Sequence, residues 1–169
     1  PNIDWQKETI KKAAMTQRVN MNVAGGSDFA KYFTSLAYMH EGDLLKVLDN
    51  GVGYKPGLGY DRFNFRTNLD LNLTKSTLLK INLAGVYGIT KNTYGWSDDE
   101  YQLMIGAYAL PPNAFMPRYS DGRWGQSPNS SERLHNSAAT AANSGIRQTR
   151  KTDLSTDFTL TQKLDFISN

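Results

Sequence analysis

Residues 62–73 read RFNFRTNLDLNL, and this stretch decides the fold class. Apolar or threonine side chains occupy every second position and polar side chains the positions between, which is the period of a β-strand with one apolar and one polar face. Strands of globular proteins cluster at about 5–6 residues, whereas strands that span a membrane need about 9–11. The stretch therefore predicts a long strand of the membrane-spanning kind. Its polar face carries Arg62, Asn64, Arg66, Asn68 and Asp70.

Four more stretches alternate in a similar way and predict four more strands. All six prolines lie outside the alternating stretches, as a hydrogen-bonded strand ladder requires. We therefore expect five antiparallel strands, each paired with its neighbours in the sequence. Their expected positions are about 17–25, 29–39, 61–74, 78–90 and 149–161.

The connections between these strands are alternately short and long. Short turns lie at 25–28 and 74–77, and long connections run from about 40 to 60 and from about 91 to 146. Outer-membrane barrels have this asymmetry, with short periplasmic turns and long extracellular loops. The sequence therefore predicts an all-β fold, in which the chain is one sector of an antiparallel transmembrane β-barrel and both long connections are extracellular loops.

The alternation also predicts which side chains face lipid and which face the lumen of the barrel. The polar set named above, together with Asn82 of the next strand, is expected to line the lumen. Aromatic side chains near the extracellular strand ends are expected to form part of an interfacial girdle, namely Tyr38, Phe63, Phe65 and Tyr87. The residues expected to face lipid are Tyr32, Thr34, Leu36, Tyr38, Phe63, Phe65, Leu69, Leu71, Leu79, Ile81 and Leu83.

The composition is compatible with this fold and excludes several other classes. The 169 residues carry a formal net charge of +3, and their Lys and Arg are too scattered to indicate binding of nucleic acid. Cysteine is absent, which excludes a disulfide scaffold and a cysteine-ligated metal. No apolar run approaches the ~18 residues of a transmembrane helix. The mean hydropathy of -0.54 is still compatible with a membrane barrel, because half of each strand faces a polar lumen.

No sequence pattern indicates an enzyme. Asp153 and Asp157 lie four residues apart on one strand face, so about 13 Å separates them, which exceeds the spacing of glycosidase carboxylates. His40 and His135 have no second histidine or cysteine at ligand spacing, and we interpret both as ordinary surface residues. No nucleophile–base pair, phosphate-binding loop or HExxH motif is present. We expect neither enzymatic activity nor a bound metal or cofactor.

Two sets of side chains are candidates for contact with a ligand. Aromatic residues of the second long connection could stack on sugar rings, or could pack that connection against itself or against a partner protein. Basic residues of the polar face could favour anionic ligands, although pairing with carboxylates of neighbouring strands is the favoured interpretation. The aromatic set is Tyr94, Trp96, Tyr108 and Trp124, the basic set is Arg18, Arg62, Arg66 and Lys80, and the carboxylates are Asp70, Asp153 and Asp157.

Several stretches, in order along nearly the whole chain, resemble the SusC-type TonB-dependent outer-membrane transporters. They include an Asp-Trp segment, a Gly-Gly turn followed by a KYY-type strand and an acidic-Gly pair, an R-x-N-x-R-x-N strand, and a loop with Pro, an aromatic residue and Asp-Gly. In this sequence they are 4–8, 25–27, 30–38, 41–42, 62–69, 117–122, 143–145, 156–160 and 164–167. The middle of each long connection, for example 44–60 in the first, matches no family feature.

The resemblance implies a 22-stranded barrel closed by an N-terminal plug, in a bacterial outer membrane. It also implies energy coupling through the TonB complex, a SusD-type surface lipoprotein as partner, and import of a glycan, an oligosaccharide or a peptide without chemical change. The plug and the remaining strands have no counterpart in these 169 residues. Because five strands cannot close such a barrel, and open edges leave backbone groups unsatisfied in lipid, we expect the stretch to belong to a longer polypeptide.

Two other functions remain open. A TonB-dependent receptor for siderophores or other iron chelates would have the same barrel. A soluble β-sandwich binding module would instead bury the apolar face as its core, and the isolated chain would dissolve in water.

Overall fold

The structure is a computed structural model that describes residues 1–47, 49–51, 53–95, 99–128 and 135–164. Within these ranges the strands are β1 Thr16–Gly26, β2 Ala30–Glu41, β3 Gly59–Asn72, β4 Thr77–Tyr94 and β5 Gly145–Gln162. The helices are α1 Trp5–Thr9, α2 Asp99–Ala109 and α3 Ser137–Asn143. None of the helices in these ranges is both long enough and apolar enough to cross a membrane.

The strands form one five-stranded antiparallel sheet in the order β1-β2-β3-β4-β5. This confirms the predicted β-rich fold, the number of strands and their sequential pairing. The strands β4 and β5 have 18 residues each and are longer than expected. Their ladder continues toward the second long connection, where Gly145 lies against the carbonyl oxygen of Tyr94. Apolar and polar residues no longer alternate cleanly there, so periodicity could not predict these last pairs.

Two compact units divide the chain. The first comprises Pro1–Thr16, Glu41–Tyr60 and Thr90–Thr149, and the second comprises Gln17–His40, Asp61–Ile89 and Arg150–Asn169.

Side-chain pairs between neighbouring strands define the register of the second unit. Tyr38 packs on Phe63 with their ring centroids 4.7 Å apart, and the hydroxyl oxygens of Thr34 and Thr67 are 3.2 Å apart. On the opposite face the ammonium of Lys80 lies 3.7 Å from a carboxylate oxygen of Asp70. Asn82 donates to Asp157 at 3.0 Å, also on that face. The division of side chains into two faces therefore agrees with the alternation in the sequence.

The first unit contains helices that the sequence interpretation did not include. Both α2 and α3 lie in the connection that was expected to be a loop. Helix α3 reads SAATAAN, and alanine has the highest helix propensity, so composition offered a signal that strand periodicity did not use. Small hydrophobic clusters form around these helices. One contains Trp5, Leu110 and Phe115, and the other contains Leu45, Leu103 and Ala141.

The first residues of the chain take part in this unit. Asp4 caps α1 by accepting a hydrogen bond from the backbone N–H of Lys7. The indole N–H of Trp5 donates to the carbonyl oxygen of Pro111 at 3.1 Å. The buried hydroxyls of Thr9 and Ser137 are 2.6 Å apart. Helix α1 is thus fixed to the second long connection by one buried indole and one buried hydroxyl pair.

Candidate functional site

One face of the sheet in the second unit is apolar and exposed. It includes Leu154, Phe158 and Met21, whose side chains are 68%, 66% and 61% exposed. Exposed apolar surface of this extent marks an interface with lipid, with a partner or with a ligand. The members with a large exposed side chain are Val19, Met21, Val23, Tyr32, Leu36, Phe63, Phe65, Leu154, Phe158 and Leu160.

The apolar face extends along most of β3. Its members on β3 run from Leu71 through Leu69, Thr67 and Phe65 to Phe63. With a rise of about 3.3 Å per residue, the eight steps from Leu71 to Phe63 cover ~26 Å along the strand. Strands of outer-membrane barrels tilt by about 35–45°, so a strand segment of this length covers roughly 20 Å of the ~25 Å outward apolar band of such a barrel.

At the strand ends that lead into the long connections, the apolar face gives way to a row of aromatic rings. A polar cluster follows this row. Phe63 packs between Tyr38 and Tyr87, and its ring centroid lies 6.4 Å from that of Tyr87. Asp61 lies two residues before Phe63 on β3. One of its carboxylate oxygens accepts a hydrogen bond from the Tyr38 hydroxyl and contacts Nδ1 of His40, both at 2.8 Å. His40 is therefore part of β2 and not of the first long connection, and its imidazole has a carboxylate partner that the interpretation as an ordinary surface residue did not include.

Aromatic rings cover glycines on this face. A side chain on Gly85 would collide with the ring of Phe65 from the neighbouring strand. A Cβ on Gly25 would come within 2.6 Å of the Tyr32 hydroxyl oxygen. Each ring fills the space that the glycine leaves and shields its backbone, an arrangement that supports strand pairing. The apolar face is therefore continuous across both glycines.

The opposite face of the sheet carries the six side chains that were predicted to line a lumen. Arg62 donates to the amide oxygen of Asn64 at 2.9 Å, and Asp70 and Asn82 make the cross-strand contacts given above. Arg66 and Asn68 occupy alternate positions of β3 on the same face. The structure therefore brings Arg62, Asn64, Arg66, Asn68, Asp70 and Asn82 together on one polar surface, as the alternation predicts.

Pairing between the basic residues and carboxylates of this surface is incomplete. It holds for Lys80 with Asp70, and Lys151 pairs with Asp153 at 3.3 Å on the same strand. Arg18 instead contacts the sulfur of Met39 at 3.2 Å. The favoured interpretation, in which all four basic residues pair across strands, is therefore wrong for the arginines in the part of the chain that the structure describes.

A hairpin at 118–124 in the first unit holds Trp124, one of the aromatic candidates. The guanidinium carbon of Arg118 lies 4.9 Å from the indole centroid, and the two residues form an isolated antiparallel bridge. Arg118 also donates to the carbonyl oxygens of Gly122 at 3.0 Å and Asp49 at 2.9 Å. Its guanidinium is thus fixed over the ring, where it makes a cation–π contact.

Trp124 also lines an open cleft of about 620 Å³, together with Tyr119, Arg123 and Gln126. Sequence reasoning missed these three partners, because the bend at Gly122 with its φ of +89° brings them beside the indole. The Arg123 guanidinium lies 2.7 Å from a carboxylate oxygen of Asp121. Hydrogen bonds from the backbone N–H and then the side chain of Arg123 lower the pKa of Asp121. The cleft offers two aromatic rings, a guanidinium and a carboxamide.

The other aromatic candidates do not gather at this cleft. Tyr94 lies at the end of β4, where the guanidinium carbon of Arg147 is 4.5 Å from its ring centroid. Tyr108 is 67% exposed on α2. Trp96 lies outside the described residues. Within the described ranges no cluster of three or more His, Cys, Asp or Glu residues could hold a metal ion.

The sequence matches no model of a known protein family, and no curated protein matches it. Function is therefore inferred from the two faces of the sheet and from the sequence resemblance described above.

Proposed function

We propose that this chain is a sector of an outer-membrane β-barrel transporter of the SusC type. Such a transporter imports a glycan or oligosaccharide in a TonB-dependent manner, together with a SusD-type surface lipoprotein. The observation that carries the proposal is the exposed apolar face, which runs ~26 Å along β3 and is bounded by an aromatic row and a polar cluster.

Water is a poor solvent for this face. Burying one Leu, Val, Met or Phe side chain contributes about 1.5–3 kcal/mol, and many such side chains lie exposed side by side here. Lipid removes that cost, whereas the charged opposite face requires water. A barrel wall places one face in lipid and the other against an aqueous lumen, and it therefore satisfies both.

A soluble β-sandwich requires a second sheet over the apolar face, and the described residues form one sheet. A sandwich packs a second sheet on this face at about 10 Å, which would bury its members. In the described residues Phe65 and Leu36 remain 41% and 48% exposed. A TonB-dependent siderophore receptor has the same barrel physics, and only the resemblance of the sequence stretches favours a glycan transporter over it.

Spin labels test the placement of the two faces. Leu83→Cys and Asn68→Cys place single labels on opposite faces, and the natural chain segment has no cysteine to interfere. In the natural full-length protein reconstituted into bilayers, we expect the label at 83 to be accessible to lipid-soluble oxygen. The label at 68 should be accessible to a water-soluble nickel complex. Equal accessibility at both positions would contradict a barrel wall.

Uptake tests the transport function. Cells that produce the natural protein should accumulate a fluorescent oligosaccharide, and a protonophore should abolish accumulation because TonB coupling consumes the proton gradient of the inner membrane. A matched control strain lacks only the gene for this protein. Uptake of ferric siderophores instead of oligosaccharides would replace the leading assignment with the iron-chelate receptor.

A further inference from the structure

The polar face of the sheet has an excess of positive charge. In the strands of the second unit, this face carries the basic residues Arg18, Lys31, Arg62, Arg66, Lys80 and Lys151, and the carboxylates Asp70, Asp153 and Asp157. Basic side chains therefore outnumber acidic ones by six to three, a ratio that makes the face electropositive.

The carboxylates of this face do not neutralise its arginines. Asp70 and Asp153 are engaged by lysines, and Asp157 accepts hydrogen bonds from the amide of Asn82 and the hydroxyl of Thr159. Among the described residues, Arg18 and Arg62 contact only a thioether and a carboxamide through their side chains. The side chain of Arg66 has no hydrogen-bond or ion-pair partner there. Three guanidinium groups thus retain most of their donors.

The three arginines lie close to one another on the sheet. Arg18 is opposite Met39, and Arg62 follows on the next strand in the same row, so two strand spacings of about 4.8 Å separate the backbones of Arg18 and Arg62. Arg66 lies four residues from Arg62 on β3, at ~13 Å. Asn64 lies between Arg62 and Arg66, and Asn68 follows Arg66, so amide groups alternate with guanidinium groups along β3.

We infer that Arg18, Arg62 and Arg66 form a binding surface for an anionic solute that carries carboxylate or sulfate groups, such as an acidic oligosaccharide. A planar guanidinium fork matches the oxygens of these anions, and asparagine amides can donate to them or to sugar hydroxyls. The inference rests on the proposed function, because it takes this face as the wall of the lumen through which the cargo passes, and it narrows that cargo to an acidic one.

A pair of ligands with the same backbone tests the role of charge. Tri-galacturonate carries three carboxylates, and its methyl ester is neutral. Binding of each to the natural full-length protein is measured by calorimetry at low and high salt. We expect the acid to bind at least tenfold more tightly than the ester at low salt, and high salt to remove most of that difference.

Two triple variants separate a local effect from a change in net charge. R18Q/R62Q/R66Q should reduce the preference for the acid to within about twofold. The control K75Q/K91Q/K163Q also removes three positive charges. Lys75 lies in the turn between β3 and β4, Lys91 lies on the other face of β4, and Lys163 follows β5. This control should keep the preference for the acid over the ester. Titration with inorganic sulfate, with competition against tri-galacturonate, shows whether the oxyanion alone is recognised.

Three results would overturn the inference. The first is that the natural protein binds tri-galacturonate no more tightly than its methyl ester. The second is that R18Q/R62Q/R66Q keeps the preference for the acid. The third is that K75Q/K91Q/K163Q loses the preference to the same extent as R18Q/R62Q/R66Q. If the arginine variant instead lowers the melting temperature of the natural protein and no preference exists, the arginines bind an acidic segment of the protein itself. Import of a neutral oligosaccharide would contradict the acidic cargo but not the proposed transport function. A natural protein that is soluble in water without lipid or detergent would contradict the transport function itself.

Discussion

Leu83 lies on the apolar face of β4, and its immediate neighbour Asn82 donates to Asp157 on the polar face. Leu83 is the third of the six alternate positions that run from Leu79 to Ile89 on the apolar face of β4, so it is expected near the middle of the bilayer. Leu83→Arg should cost about 2–4 kcal/mol of folding free energy in lipid, because it places a charge in hydrocarbon. Denaturant titration of the protein folded into bilayers measures this cost.

The matched control for Leu83→Arg is Asn68→Arg on the polar face of β3. It introduces the same side chain, but toward water, so its cost should be much smaller than that of Leu83→Arg. Equal costs for the two variants would show that the assignment of faces to lipid and lumen is wrong.

The pKa of the Asp121 carboxyl depends on its neighbour Arg123. Hydrogen bonds from Arg123 hold its pKa below the ordinary value of 3.8. A carboxyl group with a lowered pKa stabilises the folded hairpin above its unfolded pKa and loses that contribution as the pH falls through the lowered value. NMR titration of the Asp121 carboxyl should therefore give a midpoint below 3.8, and the small contribution of this carboxylate to the stability of the hairpin should fall as the pH passes through that midpoint.

Arg123→Ala separates the two contacts that Asp121 receives. The variant removes the guanidinium but keeps the backbone N–H, which makes the larger contribution to the lowered pKa. The midpoint should therefore rise only part of the way toward the ordinary value. A complete return to that value would contradict the backbone contact.

At the scale of elements, Asn136 couples α3 to the hairpin. Its side-chain oxygen caps α3 through the N–H of Ala139, while its amide donates to the carbonyl oxygens of Pro117 at 2.8 Å and Gly125 at 2.9 Å. Asn136→Ala should cost more than the roughly 0.5–2 kcal/mol of a lost cap, because two buried carbonyl oxygens lose their donor. Chemical denaturation followed by tryptophan fluorescence measures that cost.

Asn136→Ser provides the comparison. Serine keeps a capping oxygen but lacks the amide donors, so its cost should fall between the natural residue and alanine. Asn143→Ala, which removes an exposed amide that donates to Ala139, should change stability little. If serine and alanine had equal costs, the cap would contribute nothing.

Strands were predictable from this sequence, whereas its helices were not predicted. In β3 the alternation persists over twelve residues, and every side chain then obeys it because one face must avoid water. In α2 and α3 the relevant signals are helix propensity and capping. These signals are weaker than strand alternation, and they do not distinguish a short helix from a loop. The buried contacts of Trp5 and Leu45 depend on residues far along the chain, and no local pattern encodes them.

The candidate site was predictable only in part, for the same reason. Alternation alone places Arg62, Arg66 and Asn82 on one face. Which arginines lack a carboxylate depends on the register between strands, and the cleft at Trp124 depends on a bend at Gly122. Periodicity reports the direction of a side chain but not the identity of its neighbours.

For the whole molecule, the strand order can be tested by disulfide formation. Cross-strand neighbours have Cα atoms about 4.5–5.5 Å apart, which is within the range of a disulfide. In the natural protein freed of any other cysteine, Asn82→Cys with Asp157→Cys should therefore oxidise readily to an intramolecular bond. Electrophoresis with and without reductant detects it. Asn68→Cys with Asp157→Cys should fail, because β4 separates those two strands.

The ring of Phe65 over Gly85 has a consequence for assembly of the sheet. If β3 slid along β4 by two residues, both faces would still satisfy their solvent, so hydrophobicity alone would tolerate the error. The ring would then meet Leu83 or Tyr87, whose own side chains occupy the space that Gly85 leaves open. A shifted hairpin would thus leave Gly85 uncovered and would lose the fit between this glycine and the ring. The ring of Phe65 and Gly85 therefore favour the native register over pairings shifted by two residues.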